Sequence, residues 1–385
     1  MVDKRWEQVI WNVLFSIVVI ITLLGCDRIK IVPAKLPPLS SERFNHLLVA
    51  TSDYHSGVLV GVDLLQSELQ SFESSIYSDA IVRSPENSPY FYVVNRLGAD
   101  NIQWGQRNKK QVLGQFSVGR GTNPQDIAVV SSKVAYVSRL ESKILLKLNP
   151  TTGETLKEID LFESADSKTL ESTDPDGFPE MTWMKLLNNQ LLILMQRLNS
   201  EEGFKPSNKS QLAVLDLATD RVLQIITLKG TNPVTELKIL EGELSVGEAG
   251  KLGVLDGGVE LFDSNLKSLG WVTDEQKLGG DIIDCALLSK TVGVAIIAKN
   301  IYGMKPETQL VAFRRSDGKV ISILRDPGNY SLHQILMDED RSFFYLSDRD
   351  PKKPGIWVYD IKTLQPVFNT YYEVGLPPYH MVLAN

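Results

Sequence analysis

Cysteine is nearly absent from this chain of 385 residues, which holds only Cys26 and Cys285. Histidine is scarce too, with four residues, and no CxxC pair, CxxCH haem attachment or zinc-finger spacing can be assembled. No GxSxG elbow, HExxH helix, phosphate loop or GxGxxG turn occurs, so the usual serine-hydrolase, zincin and nucleotide chemistries lack their residues. Basic clusters are missing after residue 44 and the net charge is -7, which excludes the electrostatic footprint of a nucleic-acid binder. No catalytic residue and no metal ligand set is assigned on these grounds, and no cofactor is expected beyond a covalent lipid. Long amphipathic helical patterns are also missing downstream of His46.

One long apolar run is present, Val13 to Leu24 (VLFSIVVIITLL), preceded by Lys4 and Arg5. That order is the pattern of a secretory signal peptide, and the run is shorter than the roughly 20 apolar residues of a membrane span. It ends in Leu23-Leu24-Gly25-Cys26, which resembles a bacterial lipobox. The resemblance implies cleavage between Gly25 and Cys26 and lipidation of the Cys26 thiol, with palmitate among the acyl chains. Several chains together anchor stably to a membrane where one does not. Asp27 resembles an inner-membrane retention signal of enterobacterial lipoproteins, a rule too narrow to decide between inner and outer membrane. Residues 1–25 are thus expected to be removed, with residues 26–44 as lipidated cysteine and extended tether, rich in proline and serine. If Cys26 carries lipid, Cys285 has no disulfide partner, and its setting in "IIDCALL" is that of a buried core thiol.

From residue 45 the chain breaks into short β-rich runs such as "YFYVVN", "VAYVSR", "LAVLDL" and "GIWVYDI", punctuated by Gly, Asn, Asp and Pro. This is the signature of a sandwich, barrel or propeller. Internal repetition selects the propeller. Gly121-Thr122-Asn123-Pro124-Gln125-Asp126-Ile127 returns as Gly230-Thr231-Asn232-Pro233-Val234-Thr235-Glu236-Leu237. Looser copies begin at Tyr77, Asp176, Gly279, Gly328 and Gly375, at spacings of about 45 to 55 residues, the length of one four-stranded blade. A strand, a Thr/Asp/Gly turn and a second strand recur behind them, with Asp216 and Asp360 as turn caps. The last copy has only an inner strand, and the folded part opens mid-blade at His46. The expectation is an all-β, seven-bladed β-propeller over residues 45–385, its ends completing one blade together, which removes free sheet edges.

Tyr92-Val93-Val94-Asn95, Tyr136-Val137-Ser138-Arg139 and Tyr345-Leu346-Ser347-Asp348 resemble the "YVTN" strand of bacterial periplasmic and surface-layer-like propellers. The likeness is strongest in the third blade, "NPQDIAVVSSKVAYVSRLESKILLKLNPTTGETLKEIDL", and partial in the fourth, fifth and seventh. It implies blade packing and leaves activity open, since such propellers include binding proteins, electron-transfer subunits and lyases. The lipid anchor and propeller together are also similar in plan to the propeller lipoprotein of the outer-membrane barrel-assembly machinery, which has eight blades and a different repeat.

Counting two residues past each repeat's proline gives Asp79, Asp126, Met181, Thr235, Asp284, His333 and His380. Asp284, His333, His380, Asp79 and Asp126 fall in consecutive blades and form a candidate ring at one channel mouth. Such a set suits solvated lining, ligand or partner binding, or general acid–base or metal chemistry. Two longer loops mark the fourth blade, the acidic Glu163–Glu180 and Asn199–Asn208, and neither has EF-hand spacing. Asp174, Asp176, Phe178 and Trp183 are the candidate partner-contacting residues there, because long loops on rigid scaffolds carry recognition. The leading expectation is a monomeric, membrane-anchored lipoprotein of the bacterial cell envelope, exposed to the periplasm or exterior, whose propeller binds an envelope protein without catalysis. The alternatives are a lyase or hydrolase using His333 and His380, or a small-ligand sensor at the same mouth.

Overall fold

A computed structural model describes residues 45–384 except 87, 162–175 and 207–209. The signal segment, Cys26, the tether and Asp174 lie outside the described residues. Seven antiparallel four-stranded blades form a propeller. The second to seventh blades begin with the innermost strands Ala80–Arg83, Pro124–Ser131, Met181–Leu187, Lys238–Leu240, Asp281–Leu287 and Leu332–Asp338.

The first blade closes the ring. Its innermost strand, Pro378–Ala384, comes from the C-terminal end of the chain and pairs antiparallel with His46–Ser52, which continues into Gly57–Asp63 and Glu68–Ile76. The two chain ends thereby satisfy each other's strand edges. The described chain starts and stops at the same end of the propeller, with the Asn45 N–H donating to Ala384 O at 3.1 Å.

Burial patterns explain the strand sequences. Second strands such as Tyr90–Asn95 and Gln190–Met195 are buried on both faces and read as unbroken apolar runs. Outermost strands such as Gln111–Ser117 alternate exposed and half-buried positions, because at the rim only one face keeps cover from a neighbouring blade. The core consists of seven apolar layers, one at each blade–blade junction. Between the second and third blades, for instance, Tyr92, Val94 and Ile102 pack on Ile127, Val137 and Leu148.

The turns behave as their composition implies. Asp216 Oδ1 accepts from the Ala218 and Thr219 N–H groups at 3.1 and 2.7 Å, and Asp360 Oδ1 from Lys362 and Thr363 at 3.0 and 2.7 Å. The Asn199–Asn208 segment carries a small hairpin, Leu198–Asn199 with Lys205–Pro206. Ser200 N–H donates to Asp176 Oδ2 at 2.7 Å, tying this hairpin to the end of the acidic loop. Among the described residues no helix is long and apolar enough to cross a membrane.

Candidate functional site

The channel lining is set by a β-bulge in the innermost strands. In the third blade Pro124 pairs with Arg139 and Asp126 with Ser138, leaving Gln125 as the extra residue. The sixth blade does this at Ile283 and the first at Tyr379. The fourth and seventh do it between Met181 and Met184 and between Leu332 and Ile335.

The side chain at the end of the bulge reaches the backbone of the next blade. Asp126 Oδ2 accepts from the Met184 N–H at 2.9 Å, and Asp284 Oδ2 from Ile335 at 2.7 Å. Gln334 Oε1 accepts from Met381 at 2.6 Å, and His380 Nδ1 from Val82 at 3.4 Å. Trp183 makes the same link as a donor, Nε1 to Val234 O at 3.0 Å. Five blade junctions are therefore stitched by one repeat position.

This geometry sorts the ring inferred from sequence. Asp126, Asp284 and His380 share the stitching position and are buried, with their polar atoms engaged. In the seventh blade that position belongs to Gln334, one residue beyond His333, whose ring instead packs on Tyr379 with centroids 4.9 Å apart. In the fourth and fifth blades Trp183 and Glu236 hold it rather than Met181 and Thr235. Asp79 lies in the loop before the second blade and pairs with Arg96, Nη2 to Oδ1 at 2.5 Å. Counting from proline drifts because the bulge varies. The second blade pairs without interruption from Ala80 to Arg83, whereas the fifth gains additional residues between Pro233 and Lys238.

Across the channel, residues of distant blades meet. Arg83 grips Asp126 with Nε and Nη2 at 2.7 and 3.0 Å and reaches Glu236 Oε1 with Nη1 at 2.8 Å. The same Glu236 oxygen lies 2.8 Å from His380 Nε2. Trp183 underlies both, its ring 5.3 Å from the Arg83 guanidinium and stacked 5.9 Å from His380. Lys238 donates to Asp284 Oδ1 at 2.6 Å and to the carbonyls of Cys285 and Ile335.

Electrostatics follow from this packing. Burial would raise the Glu236 carboxyl, but Arg83, His380 and Lys238 outweigh it and hold the group well below the usual carboxylate range. Burial lowers His380 from 6.5 against the pull of Glu236, so the ring is neutral. With Nδ1 accepting from Val82, its proton sits on Nε2 and is donated to Glu236. Both His380 nitrogens are thus committed. Burial also raises Asp284, with Lys238 opposing.

Around His333 and Tyr379 the mouth is built of arginine and tyrosine. Arg96 and Arg349 occupy the same place in the second and seventh blades, each just after its second strand. Their N–H groups donate to Asp79 O and Ser331 O, the equivalent carbonyls ahead of the inner strands, at 2.9 and 2.8 Å. Arg96 lies 5.6 Å and Arg349 4.8 Å from the Tyr379 ring between them. Arg96 donates to Tyr379 Oη at 2.6 Å and to Gln125 Oε1 at 3.2 Å. Arg349 lies 4.4 Å from the ring of Tyr54, to whose hydroxyl Nη1 donates at 2.5 Å. Burial, then Arg349, His380 and Arg96, push His333 well below 6.5, so it too is neutral. Arg96 and Arg349 directly follow "YVVN" and "YLSD", so the residue after that strand motif was the available sequence signal for the mouth.

Of the fourth-blade candidates, Phe178 is exposed, and Asp176 Oδ1 accepts its N–H at 3.0 Å. Trp183 stands apart from them, since the bulge turns it into the channel. Among the described residues no group of three or more His, Cys, Asp or Glu side chains is arranged to hold a metal. A cleft of about 170 Å³ opens at the opposite end, lined in part by His46, Gln70, Phe72, Arg107 and Lys110.

No family model and no curated protein sequence matches the chain. Solved structures do. A candidate 6-phosphogluconolactonase from Bacteroides fragilis superposes with a TM-score of 0.61 at 11% identity, over 90% of this chain and 100% of that one. The dihydro-heme d1 dehydrogenase NirN superposes with a TM-score of 0.55 at 14% identity, over 93% and 79%. AztD from Citrobacter koseri gives 0.49 at 11% identity, over 88% and 97%. At such identities the likeness is one of fold, and proteins with different names share it.

Proposed function

We propose that this protein is a lipid-anchored component of the bacterial cell envelope whose propeller docks an envelope protein on the face bearing the arginine–tyrosine mouth. The observation that carries the reading is the placement of exposed apolar side chains. Tyr54, Leu97, Val254, Tyr302 and Met304 follow second strands, and Tyr77 and Phe178 precede inner strands; both sets of loops lie at the mouth end. Tyr302 is 61% exposed and Met304 fully so. Aromatic residues, methionine and arginine are the side chains enriched in interface cores.

The chain's start supports the orientation. Asn45 and His46 stand at the opposite end, so a tether running from Cys26 joins the propeller on the side away from this face. The commitment of both His380 nitrogens to Val82 and Glu236 favours binding over acid–base chemistry by that residue. The test is site-directed photocrosslinking in intact envelopes. A crosslinker at Tyr302 or Phe178 is expected to give one adduct of common mass, absent with the crosslinker at Leu65 on the opposite end and weakened by Met304→Ser. Equal adducts from both ends, or none from the mouth end, overturn the reading.

A further inference from the structure

The least explained charge in the described structure is Arg349. No carboxylate among the described residues pairs with it, and its side chain has one hydrogen bond, to the Tyr54 hydroxyl. Its Nε and Nη2 are buried without an acceptor. Those two N–H groups form one edge of the guanidinium, a parallel fork whose spacing matches two oxygens of a carboxylate or phosphate. Arg96 at the equivalent place differs, because Asp79 takes its Nε and Nη2.

We propose that Arg349 anchors an anion site at the channel mouth, taking the carboxylate or phosphate group of a ligand through Nε and Nη2. A guanidinium with an unfilled fork, held between Tyr54 and Tyr379, is unfavourable unless a ligand compensates it. The surroundings favour an anion. Arg96 contacts the same Tyr379 ring, and His333 is a neutral imidazole beside it. Admitting the ligand requires that Tyr54, 44% exposed on the loop between His46–Ser52 and Gly57–Asp63, swing aside. The flanking rings offer stacking surface, which suits a ligand with a planar or apolar body beside its anionic group. The site shares the docking face but does not depend on a protein partner being held there.

Thermal unfolding of the full chain in detergent tests this directly, with sodium succinate and sodium phosphate as probes against sodium chloride at matched ionic strength. Binding to the folded state raises the midpoint saturably with probe concentration. A rise with succinate alone identifies a carboxylate ligand, with phosphate alone a phosphate ligand, and with both a site reading the shared two-oxygen geometry. Arg349→Lys keeps a positive charge but loses the fork, and is expected to weaken the response at least about tenfold in apparent affinity. Its midpoint without probe should equal or exceed that of the native chain, so loss of response is separable from loss of folding. No saturable rise above chloride, or a rise that Arg349→Lys retains, overturns the proposal. The crosslinking at Tyr302 uses a different readout, so the docking reading stands or falls separately.

Discussion

Arg83 and Glu236, from the second and fifth blades, meet across the central channel with Nη1 and Oε1 2.8 Å apart. The pair joins walls that are not neighbours in the ring. Because Arg83 also holds Asp126 and Glu236 also accepts a hydrogen bond from His380 Nε2, four blades share one polar network. Removing one member leaves its partners charged and partly desolvated. Arg83→Met is therefore expected to destabilise the protein by about 3 kcal/mol, at the lower end for a broken buried pair, since the side chain keeps 17% exposure. Glu236→Gln in the same chain should recover part of the loss. Urea unfolding of both single variants and the double variant checks the coupling; strict additivity would show that the contact contributes nothing.

The stitching position makes a graded prediction. Asp284→Ala strands the Ile335 N–H and removes the partner of the Lys238 ammonium, whereas Gln334→Ala exposes only neutral groups of Met381. The first should cost about 3 kcal/mol and the second about 1 kcal/mol, because unpaired charge is more costly than an unpaired amide. Chemical denaturation gives the ranking, and the reverse order would refute it.

Buried titratable groups give this protein pH dependences of opposite sign. Burial pushes the Glu275 carboxyl up to about 8, although it accepts from the Gly257 and Ile282 N–H groups at 2.8 and 2.7 Å. The folded state then holds a proton that the unfolded state releases near 4.5, so stability is full below that value and is lost as pH rises through about 8. Glu248, raised by burial and by Glu260, adds to the same limb. His380 acts oppositely. Its folded value lies below 6.5, so acidification below 6.5 protonates the unfolded chain first and stability declines. In melting temperatures from pH 5 to 9 the raised carboxyls should contribute a decline that ends near 8, and His380 a gain that ends near 6.5. Glu275→Gln should remove a decline of order 2–4 kcal/mol between about pH 4.5 and 8 while leaving the opposite His380 contribution in place.

The blades were legible because their information is local. Short β-rich runs, Asx turns at Asp216 and Asp360, and the two GTNP copies each depend on a few adjacent residues. Closure by the chain ends followed from the incomplete last copy. The channel was legible only where copies retain a common spacing, as at Asp126, Asp284 and His380. Elsewhere a bulge of different length shifts the reading by one or two residues, enough to put His333 in the place of Gln334 and Met181 in that of Trp183. The cross-channel contacts had no local signature. Arg83 and Glu236 are 153 residues apart, and only the completed ring shows that they face each other. Arg96 and Arg349 could have been found by reading one residue past the tyrosine strand motif.

A thiol count connects the proposed anchor to the described core. Cys285 is 2% exposed, and burial pushes its thiol up to about 12, so it lacks the thiolate that maleimide attacks. It is packed close to the inner channel wall; a Cβ added at Gly247 would stand 3.0 Å from its Sγ. The folded protein purified from membranes should therefore take up no maleimide. In guanidinium Cys285 becomes accessible, and a chain acylated at Cys26 should label at one thiol. Two labelled thiols in the denatured membrane-derived protein would refute lipidation at Cys26. Cys26→Ser should still give one, and should move the protein from the membrane to the soluble fraction if the signal segment is removed by another route, or leave it as an uncleaved precursor if it is not.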